Sequence, residues 1–403
     1  MPGSRVVVLT TTLPRWKGDS TPRFVLDLSL QLALLGWRMD VIAPGYEKAK
    51  AEDELEGLTV HRFTYAVPRN FQTLCYAGGI LPNLRERPAR AMLVPPLLVS
   101  AFLATRRLVR RVKPDLVHAH WIVPMGLVAA LALPKSVPLV LTVHGSDALR
   151  LRGAVMNNLK SRVLARASVV TCNGSRTEEA IAPLLPAGKP CVRIPMGAKP
   201  AEAGAKHGVS LPQDRFKVLF AGRLIHGKGL DDLLEAVAAF GAGDRPMLLV
   251  AGTGPEAERF AARAASLAIA QDVHFLGGLE HERVLALMRD VDAVVVPTRN
   301  AELVEAQGLV IAESMFAGTP VIATSGGGAE DHVQHMANGL LVPPGESAAI
   351  ADALRHLMHN PTAASAIGEA GRAYAREKLS WQACARAFDD VYESATSERR
   401  EQQ

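Results

Sequence analysis

Two doubly wound α/β domains in tandem are what the sequence predicts, on three observations. Short apolar runs rich in β-branched residues alternate with longer stretches of helical periodicity, the pattern of parallel α/β layers. That pattern breaks over 195–212, where Pro, Gly, Ala and Lys collect without a period, and then restarts. The length of 403 residues suits two or three domains of about 100–200 residues each.

In the first half, strands are predicted at 5–10, 38–43, 59–63, 115–119, 139–143 and 168–172. Between the first two, Phe24, Val25, Leu28 and Leu32 recur at helical spacing, and Gly36 is placed to close that helix in a left-handed turn. After the linker, strands are predicted at 217–221, 247–251, 273–276, 293–297 and 321–324, with helices from Gly229 and from about Gly308. The domains are accordingly expected at 1–200 and 213–379. The tail 380–403, with Trp381, Phe388, Val391 and Tyr392 on one face, reads as a helix packing back toward the first domain.

Composition narrows the function classes. Hydrophobic residues make up 48% and charged residues 21%, a globular balance. Cys75, Cys172, Cys191 and Cys384 lie far apart with no CxxC pair, which argues against a disulfide framework or a zinc site and for a reducing cytoplasm. The start of the chain lacks the pattern of a signal peptide. The apolar stretch 91–104 is shorter than the ~20 residues a membrane span needs. The net charge of +5 hides an asymmetry. Residues 1–200 hold 27 Lys and Arg against 13 Asp and Glu (+14), and residues 201–403 hold 18 against 27 (−9). A cationic first half suits an anionic partner. No nucleic-acid motif accompanies it, so nucleic acid is not an expected partner.

Three segments carry candidate chemistry. Gly222 to Gly229 (GRLIHGKG) lies between a strand and a helix. Its glycines permit close backbone approach, the following helix start offers free amides, and Arg223 and Lys228 add two cations, a set suited to a diphosphate. A glycine-rich turn with surface cations explains that segment equally well by itself. Glu305 and Glu313 sit above and within a helix at the carboxyl end of a strand, where open α/β sheets bind ligands. They could hold sugar and ribose hydroxyls; taken alone, a glutamate at a helix start plus a solvated one is the plainer reading. His144-Gly145 ends a strand, as do His118 and His120, which share one strand face. A lone histidine is more often structural, and no further metal ligands stand at matched spacing.

Taken together, these segments resemble the retaining glycosyltransferases of family 4, over nearly the whole chain. The glycine turn at Val250–Pro255 and the turn Phe275–Leu279 add to the resemblance. It implies the GT-B fold, two Rossmann-like domains facing across a donor-binding cleft. It implies a nucleotide-diphosphate sugar as donor substrate, with no metal and no other cofactor. By the resemblance Arg223 and Lys228 bind the diphosphate, Glu313 the ribose, and Glu305 the transferred sugar with the amides of Gln307, Gly308 and Leu309. Gly18, Gly254 and Leu279 line the donor, and His144 contacts the sugar near the anomeric centre. Two positions depart from the family pattern. The first loop reads Pro14-Arg15-Trp16-Lys17-Gly18-Asp19-Ser20 in place of Gly-Gly, and Gln307 replaces an aromatic residue. A nucleotide-sugar epimerase of the same fold, or a scaffold with a degenerate site, are the competing functions.

The acceptor expected is a membrane lipid or lipid-linked sugar, met at the inner face of the cytoplasmic membrane. Arg85, Arg87 and Arg90 precede the apolar stretch 92–103, and Arg106, Arg107, Arg110, Arg111 and Lys113 follow it. Such a surface suits an anionic interface. A core-packed helix over 97–113, with Pro95-Pro96 as the turn before it, is the competing reading.

Overall fold

The computed structural model describes residues 3–19, 21–76, 78–299 and 307–401, the last four by backbone only. The chain forms two units: residues 1–197 with 381–403, and residues 198–380.

The first unit is built on an eight-stranded sheet of β1 (Arg5–Leu9), β2 (Arg38–Pro44), β3 (Glu52–Leu55), β4 (Leu58–Phe63), β5 (Leu116–His120), β6 (Leu139–Val143), β7 (Val169–Cys172) and β8 (Cys191–Arg193). Their order is β3-β4-β2-β1-β5-β6-β7-β8. All pairings are parallel except β3 with β4, a hairpin turned by Glu56 and Gly57, both at positive φ. The second unit carries β9 (Lys217–Ala221), β10 (Met247–Ala251), β11 (Val273–Gly277), β12 (Ala293–Val296), β13 (Val321–Thr324) and β14 (Leu340–Val342). These form a parallel sheet ordered β11-β10-β9-β12-β13-β14.

Strands of a parallel sheet are buried on both faces and read as continuous apolar runs. β5, β6, β10, β12 and β13 are buried throughout. Alternation then deals residues to two cores. Val7 and Leu9 join one face of the first sheet, while Val6 and Val8 join the other. In the second sheet Val218 and Phe220 oppose Leu219.

The interior strands fall where the sequence places them. Those unforeseen are β3, β8 and β14, each at a sheet edge. β3 reads Glu-Asp-Glu-Leu, the charged composition that edges use to discourage further pairing, and it leaves no apolar period to find. Helix Phe24–Leu34 ends as expected, with Gly36 at φ 99°.

The stretch 195–212 is not one linker. The units divide between Gly197 and Ala198, and residues 198–212 belong to the second. Ala198 pairs with Ser380, where the chain returns. Helix Trp381–Glu401 then packs on the first sheet beside helix Phe24–Leu34. Trp37 stacks edge-on against Tyr392 at 5.2 Å and donates to the Asp389 carboxylate at 2.7 Å. Trp381 lies so close to Gly197 that a Cβ there would fall 2.5 Å from its indole.

Pro95 and Pro96 are not a separate turn. They form the first turn of helix Val94–Val112, where a missing amide costs nothing. With the 3₁₀ turn Pro88–Leu93 they make a 25-residue stretch, Pro88–Val112, whose most apolar 18 residues have a mean hydropathy of 1.5. By length and composition alone it could cross a membrane, a longer segment than the apolar run at 91–104 suggests. Leu97, Ala101, Thr105, Leu108 and Val109 face the core, while Met92, Val99, Leu103 and four arginines in the last turns are exposed.

Candidate active site

Ligands of open α/β sheets bind beyond the carboxyl ends of the strands, where the strand order reverses. The first sheet reverses about β1, which lies between β2 and β5; the second reverses about β9, between β10 and β12. Every described candidate residue lies at one of these two carboxyl edges.

In the first unit the loop after β1 is braced from within. Arg15 makes a two-pronged bond to the buried Asp19 carboxylate at 2.8 and 2.9 Å, and Thr21 adds a third donor. Burial works against the charge, but these donors hold the Asp19 carboxyl well below its ordinary range. The buried Arg62 guanidinium donates to the Pro14 carbonyl at 2.6 Å, and the Tyr46 hydroxyl donates to the Arg15 carbonyl. Gly18, at φ 85°, is exposed, with open space where a Cβ would stand. Its glycine answers a left-handed backbone, not a tight contact.

His144 follows β6. Its ring lies 5.0 Å from Phe24 and 4.8 Å from Trp121. Asp147 accepts its backbone amide at 3.2 Å and that of Ile122 at 2.6 Å, stitching the loops after β5 and β6 together. His144 Nε2 is 2.9 Å from His120 Nδ1. His118 and His120 do share a strand face, with rings 4.2 Å apart. Burial pushes His118 and His144 down to about 3 and His120 well below its ordinary value, so all three rings are neutral at neutral pH.

In the second unit the loop Gly222–Gly229 is fixed by close backbone approach. A Cβ on Gly229 would fall 1.8 Å from the Pro297 carbonyl, one on Gly252 1.8 Å from that of Gly222, and one on Gly254 2.2 Å from that of Leu224. No side chain fits at these three positions. The Gly227 carbonyl accepts the Arg299 amide at 3.0 Å, binding the loop after β9 to the one after β12. Arg223 is exposed and makes no ion pair with a described residue, and Lys228 is half-buried.

The helix after this loop, Leu230–Ala238, carries Asp231 and Asp232 in its first turn. Both are engaged: Asp232 by Arg299, and Asp231 by Arg259 and His226. Those carboxylates offset the partial positive charge of that helix start, and the exposed Arg223 stands outside their ion pairs. Helix Leu309–Ala317 has no acidic residue in its first turn, and its start at Gly308, φ 74°, is the better-placed set of amides for an anion.

Gln307 is buried, Leu309 partly exposed, and Leu279 half-buried after β11. The Glu313 side chain is mostly buried and meets His281 Nε2 at 2.8 Å. That bond raises the His281 pKa above its ordinary value. Glu305 lies outside the described residues. Asp147, Arg299 and His281 give no signal in the sequence, and the pairing of His120 with His144 gives none either, because each acts through a partner on another loop or strand. Only the His-x-His spacing at 118–120 gave a signal. Among the described residues no cluster of three or more His, Cys, Asp or Glu could hold a metal ion.

Comparison with known proteins identifies the family and the fold. Residues 21–202 match the Glycosyltransferase Family 4 profile and residues 205–374 match Glycosyl transferases group 1. A 2-deoxystreptamine N-acetyl-D-glucosaminyltransferase of Streptomyces fradiae is 30% identical over 71% of this chain and 74% of its own. A GDP-mannose-dependent alpha-(1-6)-phosphatidylinositol monomannoside mannosyltransferase of Mycobacterium tuberculosis is 34% identical over 44% of this chain and 47% of its own. Among solved structures, sucrose-phosphate synthase of Thermosynechococcus elongatus aligns with a TM-score of 0.78 at 21% identity, over 98% of this chain and 100% of that one. With its two parallel-sheet units and a match running through both, the chain belongs to the group 1, family 4 glycosyltransferases of GT-B fold.

Proposed function

We propose that this glycosyltransferase moves a hexose from a nucleotide-diphosphate sugar to a membrane lipid or lipid-linked glycan, with retention of configuration and without a metal. The donor assignment draws on the carboxyl edge of the second sheet. Arg223 and Lys228 would neutralise the diphosphate, and the helix start at Gly308 and Leu309 would add its amides. Glu313 would take the ribose hydroxyls and Glu305 the sugar. As the bond to the sugar breaks, negative charge grows on the leaving diphosphate, so these cations act most strongly in the transition state. A diphosphate oxygen can then receive the acceptor proton on the same face, which gives retention. His144 would contact the transferred sugar.

The observation that carries the acceptor assignment is helix Val94–Val112 with the turn before it. Met92, Pro95, Val99, Leu103, Arg106 and Arg110 recur every three or four residues and are all exposed, so they form one stripe. Its first part is apolar and its last part cationic. Laid on an anionic membrane, each cation would contribute about 1 kcal/mol, and the apolar part would enter the acyl boundary. The protein would then work as a peripheral enzyme at the cytoplasmic face. The Mycobacterium relative, named for a phosphatidylinositol mannoside acceptor, supports a lipid. The Streptomyces relative, named for an aminocyclitol, favours a soluble acceptor and is the second reading.

Co-sedimentation with anionic and neutral vesicles at two salt concentrations tests the acceptor class. Binding to anionic vesicles at low salt, lost in Val99→Glu/Leu103→Glu, is expected. No binding, with full activity on a soluble acceptor, gives the second reading.

A further inference from the structure

The three histidines at the carboxyl edge of β5 and β6 can be accounted for nitrogen by nitrogen. His118 is complete: Nδ1 pairs with the Tyr392 hydroxyl at 2.7 Å and Nε2 with the Thr142 hydroxyl at 2.6 Å. Thr142 is satisfied in turn by Thr171 at 2.7 Å. His120 is not complete. Its ring is 1% exposed and nearly parallel to that of His144, at 21°. Nδ1 faces His144 Nε2 at 2.9 Å, and the buried Nε2 has no hydrogen-bond partner among the described residues.

A neutral imidazole has one N–H and one lone pair. Two arrangements make the shared bond. If His144 donates from Nε2, His120 must carry its own proton on Nε2, and an N–H is buried with no acceptor. If His120 donates from Nδ1, only a lone pair is left at its Nε2. An orphaned buried donor is the rarer and costlier defect, so the second arrangement is favoured. Charging either ring is opposed by burial.

We propose that His120 is a positioning residue: its Nδ1–H donates to His144 Nε2 and holds His144 as the neutral tautomer protonated on Nδ1. The partner of one ring nitrogen decides what the other can do. His144 therefore presents an N–H, a donor for a hydroxyl or phosphate oxygen, and does not act as a base. Phe24 and Trp121 on the ring and Asp147 on the backbone keep that donor in one direction. The consequence for transfer rests on the reading of His144 as the sugar contact.

Side-chain ¹⁵N correlation spectra of the full-length protein at neutral pH test the tautomer, with His144 assigned by its missing signals in His144→Gln. The expected spectrum has His144 protonated on Nδ1 and bare at Nε2. A proton on Nε2, or a charged ring, overturns the proposal. Two substitutions separate positioning from mere filling. The Asn amide nitrogen occupies the place of Nδ1, so His120→Asn keeps the tautomer and most of the turnover. His120→Gln puts its amide at the Nε2 end and loses both. The expected fall in kcat is ~10- to 100-fold, as when a metal-bound histidine loses its orienting partner, with donor KM little changed. Equal loss in both variants overturns the role in turnover. The spectrum is read on the resting enzyme, so it is independent of the sugar contact. Wild-type turnover in His144→Gln would instead remove that contact.

Discussion

The carboxyl edges of the two sheets solve the problem of buried polarity in opposite ways. In the first unit, His118, Thr142, Thr171 and Tyr392 join through neutral hydrogen bonds in the interior, and His120 beside them bonds to His144. In the second, His226, Asp231, Asp232, Glu256, Arg259 and Arg299 form an ionic lattice around the buried Asp231 and Asp232, with Arg259 exposed to solvent. A neutral buried network answers to protons, which its rings must refuse. An ionic lattice answers to salt and to anions, and it keeps a loop rigid while Arg223 beside it stays exposed. The contrast suits an edge that offers uncharged donors and one that holds a diphosphate.

Acid should separate the two most strongly. Folded His118 and His144 titrate near 3 and His120 well below 6.5, whereas in the unfolded chain each titrates near 6.5. The unfolded state therefore binds more protons, and stability falls as pH drops through 6.5. Each histidine contributes up to about 1.4 kcal/mol per pH unit. The lowered carboxylates of the second unit, Asp231 and Glu256, keep their contribution until pH falls below about 4. All four tryptophans, Trp16, Trp37, Trp121 and Trp381, belong to the first unit, so tryptophan fluorescence reports on it alone. Between pH 6.5 and 4.5 the fluorescence transition should shift to lower denaturant well ahead of the second unit. A first unit indifferent to pH over that range would break the comparison.

Donor affinity comes next. Lys228→Ala and Glu313→Ala should each cost roughly 2–5 kcal/mol in nucleotide-sugar binding, as loss of a charged partner from a partly desolvated site does. Titration calorimetry with UDP-, GDP- and ADP-sugars would measure it. Unchanged affinity in both would remove the diphosphate and ribose assignments.

The glycines sharpen the comparison further. Gly18 and Gly229 are both left-handed, at φ 85° and 72°. Alanine at 18 meets open space and should cost only the backbone penalty of ~1–2 kcal/mol. Alanine at 229 meets the Pro297 carbonyl as well, and should cost ~1–3 kcal/mol more. Thermal unfolding of the two variants gives the difference directly.

The smallest effect belongs to His281. Its pKa is raised, first by Glu313, so the pair stabilises the fold below the unfolded value near 6.5 and fades as pH rises through the higher folded one. His281→Gln should flatten the pH dependence of donor KM above pH 6.5 by a factor of roughly two or three, the scale of a partly exposed ion pair. An identical pH profile would leave His281 outside donor binding.

The sequence by itself determined the doubly wound architecture, because strands buried on both faces must be apolar runs and the helices between them must be amphipathic. For the same reason the interior strands from 5–9 to 321–324 were legible within a residue or two, while the charged edge strand at 52–55 was not. It also marked Arg223, Lys228, His144 and Glu313, since glycine turns and strand ends restrict where chemistry can stand. What only the tertiary structure decided are the pairings between distant residues. Asp231 and Asp232 compensate the helix start after Gly229, His281 meets Glu313, and the chain leaves the first unit at Gly197 and returns at Trp381. His120 reaches across from β5 to the residue after β6. Periodicity reports which face of an element is buried. A hydrogen bond between two buried rings depends on which strands lie side by side, and strand order is set by the packing of the whole sheet.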